Sequence, residues 1–280
     1  MASSVEVAPD SWPSGRTAAE VHGDWLVRAR VAADLPPARP RQSVLIAGIV
    51  CGSVEPALAE RLVHAGLPTR RCSDGWAIVA PAAGSLASIA AWLRSVGLAG
   101  PWRDELLDVV AVNGRVLATV ERAAVRVFGF ATVAVHLIGV AGDGRIWAQL
   151  RALDKATDPG LWDTLMGGQV AAGESTSETL ERETMEEAGL EMTDLCELAA
   201  CEPIRIRRPV ADGYMVERID VFRARVREGI VPVNRDGEVA RFECLDDAAL
   251  RQRLEAGAFT LEASLILGAE LERGGRRGPA

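Results

Sequence analysis

Apolar positions along the chain change their spacing several times, and each change marks an element. Residues 43–52 are apolar and punctuated by glycine, the pattern of a strand running into a turn. Over 54–65, Leu58, Leu62 and Ala65 fall on one face, which predicts a helix. Residues 76–80 read as a strand, and 85–96 as a helix stopped by Gly97. Two strand-like runs, 109–112 and 115–120, flank Asn113-Gly114. That dipeptide predicts a hairpin with a type I′ turn, because both residues tolerate positive φ.

A second alternation follows. Residues 131–140 and 146–150 read as strands around Gly142-Asp143-Gly144, and 154–165 as a loop. A glycine-rich turn and a helix come next. Residues 196–208 and 214–226 then form a hairpin-like pair around Ala211-Asp212-Gly213. A short strand at 242–245 and helices over 247–256 and 261–272 close the pattern. Prolines at 9, 13, 36, 37 and 40 predict irregular structure before residue 43, with one short helix near 18–31. The expected division is an irregular segment, 1–42, a small α/β unit, 43–125, and a larger unit, 126–280.

Composition narrows the function more than the fold. The chain has 280 residues, of which 49% are hydrophobic, enough for two modest cores. Its net charge of −8 argues against a nucleic-acid partner, and the one basic run, at 274–278, is too short to offset that. The longest apolar stretch, 125–142, is interrupted by Arg126 and His136 and is too short for a bilayer span, so no membrane partner is expected. Five cysteines form no Cys-x-x-Cys pair and three histidines lie far apart, which disfavours a zinc site. An odd cysteine count behind a polar, proline-bearing start fits reduced thiols in a cytoplasm. The cysteines read as core residues, and so does His136, in its apolar strand.

The segment from Gly167 to Leu190 carries the chemistry. Ser175-Thr176-Ser177-Glu178 is a capping box, so a helix should begin at Ser175, and Gly189 should end it. Leu180, Thr184 and Ala188 form its inward stripe. Glu183, Glu186 and Glu187 then share an adjoining face. Like charges at this spacing cost a few tenths of a kcal/mol. Carboxylates near a helix C-terminus cost ~0.3–1 kcal/mol more each. Arg182 relieves part of this, either there or by pairing with Glu178 on a solvated face. A hard divalent cation relieves all of it.

Written in full, the spacing is Gly168, five residues, Glu174, seven residues, Arg182-Glu183-Thr184, one residue, Glu186-Glu187, one residue, Gly189-Leu190. This resembles the signature box of the Nudix hydrolases at every fixed letter, a coincidence on the order of one in 10⁵ by residue usage. The one departure is Thr184, where the family usually has an aliphatic residue. The stretch from Lys155 to Gly168 and the run Trp102-Arg103-Asp104-Glu105-Leu106 are similar to the thiamine pyrophosphokinase-related branch, whose members carry a small amino-terminal α/β domain. The resemblance implies an α/β/α sandwich around a mixed sheet, preceded by that small domain. It also implies a hydrolase of a diphosphate bond in a small molecule, dependent on Mg²⁺ or Mn²⁺.

Carried over position by position, Glu183 and Glu187 are principal metal ligands, Glu186 is an auxiliary one, and Gly168 offers its carbonyl. Glu174 and Arg182 form the ion pair that fixes loop to helix. Glu238 is a candidate general base, and Glu183 is the other. Lys155 and Arg151 are candidate phosphate contacts or solvated strand ends, and Trp162 is a candidate stacking residue or a buried packing one. Arg205, Arg207 and Arg208 alternate along a strand and face either substrate or water. A thiamine-diphosphate-like substrate is the branch-level expectation, with ADP-ribose or another nucleoside diphosphate derivative as the alternative. A nucleotide sensor without turnover, and an isomerase needing a cysteine near the metal, remain open. Two roles are open for the amino-terminal unit: covering the site, or making a homodimer contact.

Overall fold

A computed structural model describes residues 25–276. The expectation for the first 24 residues lies outside the described residues, as does part of the basic run at 274–278. Among the described residues the first helix, α1, is Trp25–Ala33. A hairpin of β1 (Gln42–Ile46) and β2 (Ile49–Val54) follows. The sequence pattern runs straight through its two-residue turn. Ala47 and Gly48 both have positive φ, 51° and 78°, and alanine gives no signal for that conformation.

Helix α2 (Pro56–His64), strands β3 (Thr69–Cys72) and β4 (Gly75–Ile78) and helix α3 (Ala82–Ser95) complete a four-stranded sheet of order β2-β1-β4-β3. On α3, Leu86, Ile89, Ala90 and Leu93 recur at three- and four-residue intervals and are buried. Each such leucine or isoleucine contributes about 1.5–3 kcal/mol relative to exposure.

Strands β5 (Leu106–Val110) and β6 (Val116–Glu121) form the expected hairpin beside this sheet. Its turn is not type I′. Gly114 N donates to Ala111 O, and only Gly114 takes positive φ, so the loop is one residue longer, with a bulge. The turn at Gly142-Asp143-Gly144 has the same bonds. Strands β1, β2, β4, β5 and β6 and helices α2 and α3 enclose one core, including Val44, Leu62, Trp76, Leu93 and Val109, with Phe128 from the segment that follows.

A short helix, α4 (Arg122–Val125), leads into the larger unit. There follow β7 (Ala131–Val140), β8 (Ile146–Arg151), β9 (Trp162–Asp163), β10 (Met166–Gln169) and α5 (Thr176–Ala188). After them come β11 (Leu195–Ala200), β12 (Ile204–Val210), β13 (Gly213–Val226), β14 (Val239–Leu245), α6 (Asp247–Glu255) and α7 (Leu261–Arg276). The sheet runs β11-β13-β7-β8-β14, with β12 on β13, β9 on β8 and β10 on β7. Among the described strands of this sheet only β7 and β13 pair in parallel, so the sheet is mixed.

Strand β7 is central and buried on both faces. Its Ala134, Ile138 and Val140 pack with α1, α6 and α7 through Leu26, Leu250 and Ile266. Its Val135 and Leu137 pack with α5 through Leu180 and Ala188. Helices therefore cover both faces of the sheet, and the fold is mixed α/β. Among the described residues no helix is long and apolar enough to cross a membrane.

Candidate active site

Helix α5 starts and stops where its side chains dictate. The Ser175 hydroxyl accepts from Glu178 N, and the Glu178 carboxylate accepts from Ser175 N at 2.8 Å. Gly189, with φ of 62°, ends the helix. Leu180, Thr184 and Ala188 are buried. The Thr184 hydroxyl has no hydrogen-bond partner there, so the departure from an aliphatic residue leaves an enclosed polar atom unsatisfied.

Arg182 does not pair with Glu178, whose carboxylate is taken by the cap. Its guanidinium instead donates to both oxygens of Glu174, at 2.8 and 2.9 Å, and to Glu183 and Glu186 at 2.9 and 3.0 Å. The Arg182 bonds hold the Glu174 carboxyl down at about 2. The loop from Gly168 to Glu174 is thus pinned to the helix by a charge-assisted, two-pronged contact.

Glu187 is the innermost of the three glutamates, 1% exposed. It accepts from Gln149 Nε2 at 2.9 Å, Gly167 N at 3.0 Å and Lys155 Nζ at 3.1 Å. Burial raises its pKa against the pull of Lys155, Gly167 and Gln149. Lys155 also reaches Glu238 at 2.6 Å, which places the candidate base beside the helix. Burial acts to raise Glu238 as well, but Lys155, Arg103 and Arg122 together outweigh it and hold that carboxyl below its usual range. Glu183 is pushed up to about 7, first by burial and then by the charge of Glu187, against Arg182.

The donor chemistry fits a hard divalent cation. Two crowded, enclosed carboxylates lack full compensation, and Gly168 leaves room beside them. A Cβ there would fall onto the Glu183 carboxylate and Cγ. Glu183, Glu186, Glu187 and the Gly168 carbonyl would supply oxygen ligands. Among the described residues no three His, Cys, Asp or Glu side chains stand as a ready cage, because Arg182 and Lys155 hold these carboxylates as counter-ions.

The raised Glu183 has a consequence for stability. Its carboxyl titrates at about 7 when folded, against a reference of 4.5. The folded state binds the proton more tightly, so stability is intact below 4.5 and is lost as pH rises through 7. In EDTA, the melting temperature of the protein falls between pH 5 and 8, and Glu183→Gln flattens that fall. Burial also raises Glu187, and burial and the charge of Glu217 push Glu262 up to about 7, so the difference between variant and parent, not the parent curve, reports Glu183 and its coupling to Glu187. Parallel curves would show that Glu183 is not the group responsible.

These side chains open onto a cleft of about 1020 Å³. Gly168, Arg182, Glu183, Glu186 and Glu187 line it, with Glu238, Lys155 and Arg151. Glu174 stands behind them. Arg151 pairs with Asp163 at 3.2 Å and donates to the Thr157 and Asp158 carbonyls, so it shapes the 154–161 loop as well as the wall.

Trp162 is a correction. It is buried and does not line the cleft; Arg253 and Arg241 lie over its ring at 4.4 and 5.4 Å, and Phe259 packs near it. Its role is packing. His136 is buried as expected but is also part of the wall: Nδ1 is 2.9 Å from Thr164 Oγ1, and its ring lies against Gly167. Arg207 pairs with Asp34 away from the cleft, whereas Arg208 lines it.

Several residues of the site carried no spacing signal. Gln149 is one, although an amide inside an otherwise apolar strand is itself a cue for a buried polar contact. Asp163 is another. Arg122 and Arg126 are the third case; with Arg103, which lies in the branch-like run, they reach the cleft from the amino-terminal unit.

Comparison with known proteins agrees with this geometry. The pattern of the NUDIX domain matches residues 131–263. Nudix hydrolase 20, chloroplastic, of Arabidopsis thaliana is 30% identical over 181 residues, covering 62% of this chain and 48% of that protein. Nudix hydrolase 24, chloroplastic, of the same plant is 31% identical over 182 residues, covering 62% and 49%. The isopentenyl-diphosphate Delta-isomerase of Leifsonia xyli subsp. xyli is 32% identical over 171 residues, covering 60% of this chain and 90% of that protein. The chain spans about half the length of the two plant relatives. With the domain pattern, the relative matched over nearly its whole length and the complete box on α5, the chain belongs to the Nudix family.

Proposed function

We propose that the protein is a divalent-metal-dependent hydrolase of a diphosphate bond in a small organic diphosphate. The observation that carries this is the pairing of Glu183 with the deeply buried Glu187 in one wall of a cleft that arginines also line. Glu183, Glu186, Glu187 and the Gly168 carbonyl would hold Mg²⁺ or Mn²⁺, which would supply charge neutralisation of the phosphate oxygens and a water of lowered pKa. The protein's own groups do the rest. Gln149 and the Gly167 N–H hold the Glu187 carboxylate in place, and Arg182 fixes the loop that carries Gly168. Glu238, kept ionised by Lys155, is the candidate to take the proton from water.

Within that class the reading is a thiamine-diphosphate-like substrate. The two branch-like stretches both reach the cleft, through Arg103 and Glu105 and through Lys155, Thr157 and Asp158. A panel of thiamine diphosphate, its oxidised analogues, ADP-ribose, dinucleotides and nucleoside triphosphates, assayed with Mg²⁺ and Mn²⁺, tests both levels. Metal-dependent release of monophosphate from one member supports the hydrolase. Tight binding without turnover of any would instead make it a sensor.

The 32% identity to an isomerase favours a second reading. Against it, none of the five cysteines lines the cleft. Incubation with isopentenyl diphosphate separates the two: isomerised product with no phosphate released would replace the hydrolase reading.

A further inference from the structure

Seven cationic side chains line the cleft, and five of them are already in ion pairs. Arg122 holds Glu105, Arg126 faces Asp212, Arg151 holds Asp163, Lys155 holds Glu187 and Glu238, and Arg182 holds three glutamates. Arg208, on β12, has an enclosed Nε without a partner. Among the described residues the guanidinium of Arg103 makes no ion pair and no hydrogen bond, and it stands exposed in the wall that the amino-terminal unit contributes.

The segment that carries Arg103 is built to hold it there. Arg103 N donates to Glu121 Oε1 at 3.2 Å, and Arg122 N donates to Glu105 O at 2.8 Å. The Trp102 indole donates to Asp104 Oδ1 at 2.7 Å, with Arg94 stacked over its ring at 4.4 Å. Asp104 takes a φ of 55°, a left-handed turn conformation that aspartate tolerates better than most residues.

The unit is also tied to the loop that opens the box. Ala172 N donates to Leu106 O at 2.8 Å, and Gly173 N to Asp108 Oδ2 at 3.1 Å. Farther along, Tyr214 N donates to Arg126 O at 2.8 Å. Arg103 therefore cannot drift relative to α5 without breaking these bonds.

Its field reaches the acidic end of the cleft, since Arg103 and Arg122 both help to keep Glu238 ionised. Glu238 is bonded to Lys155, and Lys155 to Glu187. A free, planar five-donor fork lining the same cleft as that chain of groups matches phosphate oxygens.

We infer that Arg103 is a substrate-binding residue that grips the diphosphate, so that the amino-terminal unit forms part of the active site. This rests on the diphosphate reading above. The test uses the full chain and two readouts: steady-state kinetics on whichever diphosphate is turned over, and calorimetric binding of magnesium imidodiphosphate, which carries phosphate groups and nothing else. Arg103→Ala raises KM and the dissociation constant by roughly 10- to 100-fold, the loss expected for a charge-assisted contact. It changes kcat less and leaves the melting temperature in place. Arg103→Lys falls between variant and parent, because it keeps the charge and loses the fork.

Arg70→Ala, an exposed arginine on β3, changes neither constant. Constants for Arg103→Ala within about twofold of the parent overturn the assignment while leaving the hydrolase standing. An equal loss in Arg70→Ala overturns it too, since the effect would then be net charge. If the parent neither binds imidodiphosphate nor hydrolyses any diphosphate, the hydrolase reading falls and takes this one with it.

Discussion

Glu187→Gln lowers turnover by at least ~100-fold, the usual cost of removing one positioned charge from a reacting centre. The substitution keeps the shape of the side chain. An amide oxygen at that position still accepts from Gly167 N or Gln149 Nε2, now 3.0 and 2.9 Å from the carboxylate, and Lys155 keeps its contact to Glu238 at 2.6 Å. Little of the fold depends on the charge, and ligation of a hard cation depends on all of it.

The variant therefore separates folding from chemistry. Added Mn²⁺ raises the melting temperature of the parent, because a ligand that binds only the folded state stabilises it by mass action. In Glu187→Gln that rise shrinks or disappears, although the metal-free protein still folds. Near-normal turnover with an intact Mn²⁺ response would remove Glu187 from the site and with it the reason for reading α5 as catalytic.

The distinction between Glu187 and its neighbours marks how far sequence reasoning carries. Helix α5 is legible because everything that defines it is local: a capping box at Ser175, a glycine at 189 and an apolar stripe at four-residue spacing. Spacing also puts Glu183, Glu186 and Glu187 on adjoining faces. It says nothing of their relative depth. The structure leaves the Glu186 side chain 48% exposed on Arg182 and encloses Glu187 almost completely. That difference depends on where Gln149 of β8 and Gly167 of β10 meet the helix, and pairing across a sheet leaves no trace in the spacing of either segment.

The same limit explains the misreadings. Asn113-Gly114 does mark a hairpin, but a one-residue difference in loop length is set by strand register, so the turn type was not readable. Ala47-Gly48 makes a two-residue hairpin turn that nothing in the sequence advertises. Trp162 sits between two motif segments in sequence, yet strand β9 aims it into the core under Arg253. Arg103 lies some 80 positions before Glu183 and joins the same cleft only because β5 docks on the loop before α5. In each case the element was visible and its partner was not.

Gly168→Ala is expected to inactivate the protein nearly as fully, by a steric route with no charge removed. Gly168 pairs with Val135 in an ordinary strand conformation, so the backbone accepts alanine without strain. The added methyl group has nowhere to go. It meets the Glu183 Cγ, Cδ and Oε1 atoms, all well inside contact distance. The strand is fixed by β7 and the helix by its packing on Val135 and Leu137, so the side chain of Glu183 must move. A displacement of about 1 Å in a positioned group costs on the order of 100-fold in rate. The loss should appear in kcat and in Mn²⁺ affinity together, since the same carboxylate serves both. The melting temperature in EDTA should fall far less than the rate, because the clash is with a side chain and leaves the strand and helix backbones in place. A Gly168→Ala protein with parental kcat would show that Glu183 has room to spare beside the loop, and that the close fit of strand β10 to helix α5 has no part in the chemistry.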